Sequence, residues 1–307
     1  MGVQEVLLSK NGYVTMQIAN EFLQYRKGDK IPTVTELSEK YKTSRGTMQN
    51  AIKLLQNKKV IRLEPRGHLG TFLVQKDMAL LLQYANIKGI LGTMPLPYSK
   101  KYEGLASGLV KAMVNEYKIP AYLTFMRGAR NRIAMLVDFR CEFAIVSLFA
   151  AKQHLEFHDD IEIVKRFGIG SYLGKHVILL RDKGAHAIQN GMRVGIDTTS
   201  IDQLAMTQHV CRGKQVQFVE VGYSQIIKNI IEGKCDAAIW NEDEILDKFI
   251  QVNYVPVEEE NEEDTEAVLI VSKKRPEMKL LLNEIIDEET VLSVQSKVIN
   301  REITPIY

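Results

Sequence analysis

The chain has 307 residues, 45% of them hydrophobic and 25% charged, the composition of an ordinary globular protein of about two domains. No apolar run approaches the roughly 18–20 residues of a membrane span. Met1–Lys10 lacks the order of an export signal, and three widely spaced cysteines (Cys141, Cys211, Cys235) fit neither a disulfide framework nor a zinc site. The expectation is therefore a cytoplasmic protein with no membrane contact, no metal and no cofactor, its cysteines serving as small apolar residues. The net charge of +2 is uneven: residues 1–76 carry 13 Lys and Arg against 6 Asp and Glu, and residues 77–307 carry 27 against 32. A basic front end suggests a polyanionic partner, although a lysine-rich solvated face has the same signature.

Two opening segments, Val3–Ser9 and Val14–Arg26, read as helices parted by Asn11-Gly12. In the second, Val14, Ile18, Phe22 and Tyr25 recur near the helical period. Gly28-Asp29 is a turn, and Pro32 keeps its neighbour extended. Thr33-Val34-Thr35-Glu36 is a capping box, and the helix it opens places Val34, Leu37 and Tyr41 on one face. After the short turn Lys42-Thr43, Ser44 caps another helix. That helix sets Met48, Ala51, Ile52 and Leu55 in a core stripe, with Arg45, Gln49, Lys53 and Gln56 opposite.

Two short helices, a tight turn and a basic outer face make a helix-turn-helix; a plain helical hairpin with a solvated face is the alternative. Val60–Leu63 and Thr71–Val74 then read as strands around Glu64-Pro65-Arg66-Gly67-His68-Leu69-Gly70. This hairpin is a wing whose basic tip reaches phosphates or the minor groove. The expected duplex-DNA contacts are Thr33, Thr35, Ser44, Arg45, Gly46, Thr47, Gln49, Asn50 and Lys53, with Arg66, Gly67 and His68 at the wing. Arg45 suits guanine, and Gln49 or Asn50 suits adenine. Gly46 and Thr47 would bring backbone amides to a phosphate.

The order Gly28, Ile31-Pro32-Thr33, Glu36-Leu37, Ser44-Arg45-Gly46-Thr47-Met48, Ala51, Leu55 and Gly70-Thr71-Phe72 resembles the GntR family of winged-helix regulators over residues 26–74. The chain departs from that family at Val34-Thr35, at Gln49, and in a wing one residue longer, Gly67-His68-Leu69-Gly70. The resemblance implies the fold and DNA binding, not the operator read. Taken whole, the chain is similar to the YhfZ family of regulators.

Met78–Ala85 is apolar on nearly all sides, a buried linker helix or part of a dimer contact. From residue 87 strands and helices alternate. Expected strands are Ile87–Gly92, Ala121–Phe125, Phe143–Ser147, His176–Leu180, Arg193–Ile196, Val216–Val219, Ala237–Trp240 and Ala267–Val271. Expected helices are Ser99–Tyr117, Arg130–Phe139, Ser200–Cys211 and Tyr223–Glu232. The pattern predicts an α/β domain with mostly parallel sheets. Glu258–Glu266 reads as a solvated loop.

Arg140–Ser147 resembles Lys234–Asn241, and Lys88–Thr93 resembles Arg193–Thr198, which implies two similar lobes. This resembles the type 2 periplasmic binding protein fold over residues 87–307. The expected division is thus a winged helix at 1–76, a linker helix at 77–86 and a two-lobed effector domain at 87–307.

Ligands of open α/β sheets bind beyond the carboxyl ends of the strands. The candidates there are Thr93, Pro95, Leu96, Pro97, Tyr98, Arg127, Gly128, Ala129 and Ser147 in the first lobe. In the second they are Asp197, Thr198, Ser200, Tyr223 and Asn241. The proline loop reads equally as a plain turn, and the cluster Arg127, Arg130, Arg132 equally as surface pairs. The helix start at Ser200 would favour an anion, so the expected partner is a small anionic effector.

No catalytic motif stands in the chain: there is no His-Glu-x-x-His, Gly-x-Ser-x-Gly, Cys-x-x-Cys or Walker loop. The expectation is a homodimeric transcriptional regulator, not an enzyme, whose DNA affinity responds to a bound metabolite. The rival readings are a DNA-binding protein with a vestigial, unliganded second domain, and an enzyme that uses the cleft.

Overall fold

In a computed structural model, which describes residues 9–117, 119–258 and 262–307, a serine sets the first boundary. The Ser9 hydroxyl accepts from the Gly12 amide at 3.2 Å and opens helix α1 (Lys10–Leu23). Asn11-Gly12, expected as a break, therefore lies in the first turn. A glycine in a helix costs about 1 kcal/mol, and burial of Val14, Ile18, Ala19, Phe22 and Leu23 outweighs it. The helix expected at Val3–Ser9 falls almost wholly outside the described residues.

The capping box forms as expected. Thr33 Oγ1 accepts from the Glu36 amide at 3.3 Å, and Glu36 Oε2 accepts from the Thr33 amide at 2.7 Å. It opens α2 (Val34–Lys40), and Ser44 caps α3 (Arg45–Asn57), which buries Met48, Ala51, Ile52 and Leu55. Strands β1 (Lys30–Ile31), β2 (Ile61–Pro65) and β3 (Thr71–Lys76) form an antiparallel sheet in the order β1-β3-β2. Asp77 caps α4 (Met78–Tyr84), which buries Met78, Leu81 and Leu82 and packs on α1.

The chain divides into two compact units that do not follow its order: residues 1–90, 113–120 and 275–285 form one, and the remainder the other. The first unit thus includes α12 (Pro276–Ile285) from far along the chain. This helix buries Met278, Leu281, Leu282 and Ile285, packs on α1, and pairs Glu284 with Lys76 at 2.9 Å.

One buried carboxylate ties this unit together. Glu21, on α1, is 2% exposed. It accepts from Tyr41 Oη at 2.6 Å, Lys40 Nζ at 2.7 Å, Gln24 Nε2 at 2.9 Å and Tyr25 Oη at 3.0 Å. Lys40 and Tyr41 end the first helix of the helix-turn-helix, so Glu21 fixes where the turn begins. Burial pushes its carboxyl up, but the Lys40 and Tyr41 hydrogen bonds outweigh that and hold it below the ordinary value. A depressed carboxylate stabilises the fold above its unfolded value, and that stability is lost as the pH falls through the folded value. We expect Glu21→Gln to cost about 1–3 kcal/mol at neutral pH and to flatten the acid limb of the stability curve, both read from denaturant melts across pH.

The internal repeat becomes two five-stranded lobes, which lie in the second unit save for residues 90 and 113–117. The first has β4 (Ile90–Met94), α5 (Lys100–Tyr117), β5 (Ala121–Phe125), α6 (Ala129–Val137), β6 (Phe143–Ser147), α7 (Leu148–Leu155) and β7 (Ile161–Arg166). The second has β8 (His176–Leu180), β9 (Arg193–Ile196), α8 (Ile201–Val210), β10 (Gln217–Glu220), α9 (Ile226–Ile231), β11 (Ala237–Asn241), α10 (Glu242–Asp247) and β12 (Asn253–Pro256). After α11 (Glu262–Thr265), β13 (Ala267–Ser272) returns to the first lobe. Helix α13 (Glu288–Ile299) closes the set.

The sheet orders β5-β4-β6-β13-β7 and β10-β9-β11-β8-β12 match position by position. The expectation of mostly parallel sheets needs correcting, because both are mixed. Strand β4 runs parallel to β6, and β9 to β10 and β11, but β13 opposes β6 and β7, and β8 opposes β11 and β12. Strands β8 and β13 are those by which the chain enters one lobe from the other, so no crossover helix obliges them to run parallel. All three cysteines are buried thiols, and burial pushes Cys141 up to about 12.

Candidate functional site

Helix α3 presents Arg45, Gly46, Gln49, Asn50 and Lys53 to solvent, with Thr47 half-buried beside them. Thr33 is exposed and Thr35 half-buried at the start of α2. Added side-chain volume at Gly46 would meet nothing within 4 Å, so the backbone there is open to close approach. The expectation for the first-turn amides is only half met. Ser44 Oγ takes the Thr47 amide at 3.1 Å, which leaves Arg45 and Gly46 as the candidates for a phosphate. At the wing, Arg66, Gly67 and His68 are exposed. Arg66 is partly engaged by the chain itself, on Glu64 at 2.6 Å and over the Phe72 ring at 4.6 Å.

Between the two lobes of the second unit lies a cavity of about 620 Å³, mouth included. Of the expected ligand contacts, Pro95, Leu96, Tyr98, Arg127, Gly128, Ala129, Ser200, Tyr223 and Asn241 line it. Thr93, Pro97, Ser147, Asp197 and Thr198 do not. Thr93 is wholly buried, Thr198 binds Glu220 at 2.7 Å, and Ser147 is a core residue whose hydroxyl caps α7 and bonds Asp202. The sequence reading did not include Tyr102, Tyr172, Leu173, His176, Asp202, Gln203, Ile239 and Trp240, which also line the cavity.

At the helix start expected to favour an anion, the Ser200 hydroxyl takes the Gln203 amide at 3.4 Å, and two carboxylates of the chain stand beside it. Asp197 accepts from the Thr199 amide at 2.9 Å and the Tyr223 amide at 2.8 Å, and it faces Arg127 Nε at 3.6 Å. Asp202, in the first turn of α8, meets Ser147 across the cleft. Burial pushes the Asp202 carboxyl up, against the lowering effect of Ser147, His176 and Arg132. Arg132 is no surface pair. It is 3% exposed and donates to Ile145 O at 2.9 Å, Met126 O at 2.8 Å and Tyr172 Oη at 2.8 Å.

Aromatic rings also bridge the lobes. Tyr223 stacks on Trp240 at 3.9 Å and packs tilted by 32° against Tyr98 at 5.4 Å, and Lys248 lies over the Tyr98 ring at 5.4 Å. Two glycines permit the close approach. Gly222 lies against the Arg127 guanidinium, and Gly128 (φ +79°) lies where a Cβ would meet Thr199 O at 2.6 Å. Gly128→Ala would combine that clash with a strained backbone. We expect a loss of at least about 1–3 kcal/mol in denaturant melts; unchanged stability would show that the Thr199 segment moves aside freely.

These features define a helix-turn-helix protein whose second domain has the fold of periplasmic binding proteins. A helix-turn-helix domain model matches residues 26–73, and the YhfZ C-terminal domain model matches residues 77–307. YhfZ of Escherichia coli strain K12 is 33% identical over 308 residues, covering 99% of this chain and 100% of that protein. The chain belongs to the YhfZ family. The crystal structure of YhfZ from Shigella flexneri is 32% identical with a TM-score of 0.61, covering 75% of this chain and 97% of that one. The Streptococcus pneumoniae amino acid transporter substrate-binding protein AbpA, bound to L-arginine, has a TM-score of 0.51 at 14% identity, covering 70% of this chain and 94% of its own. At that distance it speaks to the fold alone. Among the described residues no helix is long and apolar enough to cross a membrane.

Proposed function

We propose that this protein is a cytoplasmic transcriptional regulator, GntR-like in its winged helix, that binds duplex DNA as a homodimer and responds to a small anionic metabolite held between the lobes of its second domain. The observation that carries the DNA-binding half is the outer face of α3, where Arg45, Gln49, Asn50 and Lys53 are all exposed beside a helix start open to a phosphate. Arg45 reads guanine bidentately, while Gln49 or Asn50 reads adenine. Thr33, Thr35, Ser44, Thr47 and the wing residues Arg66, Gly67 and His68 hold the backbone. A single reading helix gives a small footprint, and pairing two half-sites is the usual remedy.

The effector half rests on a cavity with Arg127 and Arg132 on its wall and polar groups from both lobes. A ligand that favours one lobe arrangement would shift DNA affinity by its differential binding, typically about 1–3 kcal/mol. An unliganded second domain is the competing reading, favoured by the bonds that already close the cleft, Ser147 to Asp202 and Tyr98 against Tyr223.

Arg45→Ala is expected to lower affinity for a selected operator by about 1–3 kcal/mol at fixed salt and to relax preference at one base pair. Binding to genomic fragments measures this, and unchanged selectivity would remove α3 as the reading helix. Thermal-shift screening of metabolites followed by DNA titration with each hit tests the second half. A tight ligand that leaves DNA affinity unchanged would refute the sensor role. Light scattering that finds only monomer, with and without operator, would refute the dimer.

A further inference from the structure

Trp240 and Asn241, 2% and 3% exposed, are adjacent residues on the cavity wall, and each carries a buried donor without a partner: Nε1 of the indole and Nδ2 of the amide. A buried donor left unpaired is costly and rare in folded proteins. Both groups are fixed in direction. The Asn241 Oδ1 atom accepts from the Asp243 amide at 2.9 Å, which settles which end of the amide is the donor, and the indole is held by its stack on Tyr223.

The opposite lobe offers the same chemistry. Arg132 uses three N–H groups on Ile145, Met126 and Tyr172, and a guanidinium has five. Its charge is buried on the cavity wall with N–H groups to spare. The carboxylate on the wall, Asp202, takes the Ser147 hydroxyl on one oxygen. Side chains with unspent donors therefore stand on the cavity wall in both lobes, with apolar surface from Leu96, Tyr98 and Leu173 between.

We propose that the ligand carries hydrogen-bond acceptors at both ends, as a short dicarboxylate or oxo acid does, with one end on Arg132 and the other on Trp240 and Asn241. This rests on the effector reading above and narrows it from an anion to a two-ended acceptor. It also assigns the second end to β11, away from the helix start at Ser200. Because donors of each lobe are satisfied by one molecule, such a ligand supports the lobe arrangement in which both reach it.

The test is calorimetric titration of the full chain with malonate, succinate and glutarate, against butyrate as a one-ended probe and putrescine as a chain with donors at both ends. Two variants accompany the wild type. Trp240→Phe keeps a stacking ring and removes the N–H, and Asn241→Asp keeps the oxygen that caps Asp243 and removes the donor. We expect at least one dicarboxylate to bind, butyrate to bind about tenfold more weakly, putrescine not to bind, and each variant to lose about tenfold in affinity.

The proposal is overturned if no dicarboxylate binds, if butyrate or putrescine binds as tightly, or if the variants bind like the wild type. DNA titration separates the two readings. A metabolite of other chemistry that shifts operator affinity would leave the sensor standing and sink the two-ended ligand. A dicarboxylate that binds without shifting operator affinity would do the reverse.

Discussion

A carboxylate buried where two lobes meet has to be satisfied by both of them, and much of the second domain is arranged around that demand. Asp202 sits in the first turn of α8 in the second lobe, yet the hydroxyl that meets it belongs to Ser147 in the first. Arg132, also of the first lobe, supplies the compensating charge. Neither partner is free to wander. Ser147 caps α7, and Arg132 is anchored on two backbone carbonyls and on Tyr172, which lies in the crossover between the lobes. Parting the lobes would strip this carboxylate of the Ser147 hydroxyl, and a buried acceptor left without its donor is expensive. Any molecule that works the cleft therefore competes with bonds already made inside the protein.

The two lobes repeat one topology but spend their chemistry differently. Ser147 ends β6 and caps the next helix, and Asn241 ends β11 and caps the next helix, in equivalent places of matching sheets. In the first lobe the capping group also reaches across the cleft, whereas in the second the remaining donor of the amide stays unspent. A duplicated frame thus supplies symmetry of position, and single side chains at the strand ends break it. In the DNA-binding unit a different carboxylate, Glu21, sets the turn of the helix-turn-helix from inside, so the outer face of α3 is left to polar residues with no structural duty.

How much of this could be read in advance depends on distance along the chain. Apolar runs with polar ends, such as Phe143–Ser147 and His176–Leu180, gave strands that match to the residue. The capping box and the stripe on α3 are local patterns and formed as read. In the two lobes two strands escaped, β7 and β12. They lie at the sheet edges, where Glu162, Lys165 and Pro256 interrupt the apolar pattern that a central strand would need. Without β7, the crossover that follows it went unrecognised, and with it Tyr172 and Leu173 on the cavity wall. The bond from Ser147 to Asp202 spans 55 residues, and no spacing rule reaches that far. At Ser200 the helix start was legible, but the direction of the two neighbouring carboxylates was not.

Helix α12 bears on how the protein is made. Its apolar face, with Met278, Leu281, Leu282 and Ile285, packs within the same unit as the winged helix, yet it leaves the ribosome after most of the chain. Strand β13, just before it, fills an interior position in the sheet of the first lobe. During synthesis neither unit can finish until these late segments arrive, so the chain must hold two incomplete cores at once before both close. A nascent chain therefore completes the packing of its winged-helix unit only after the strands of both lobes have been made.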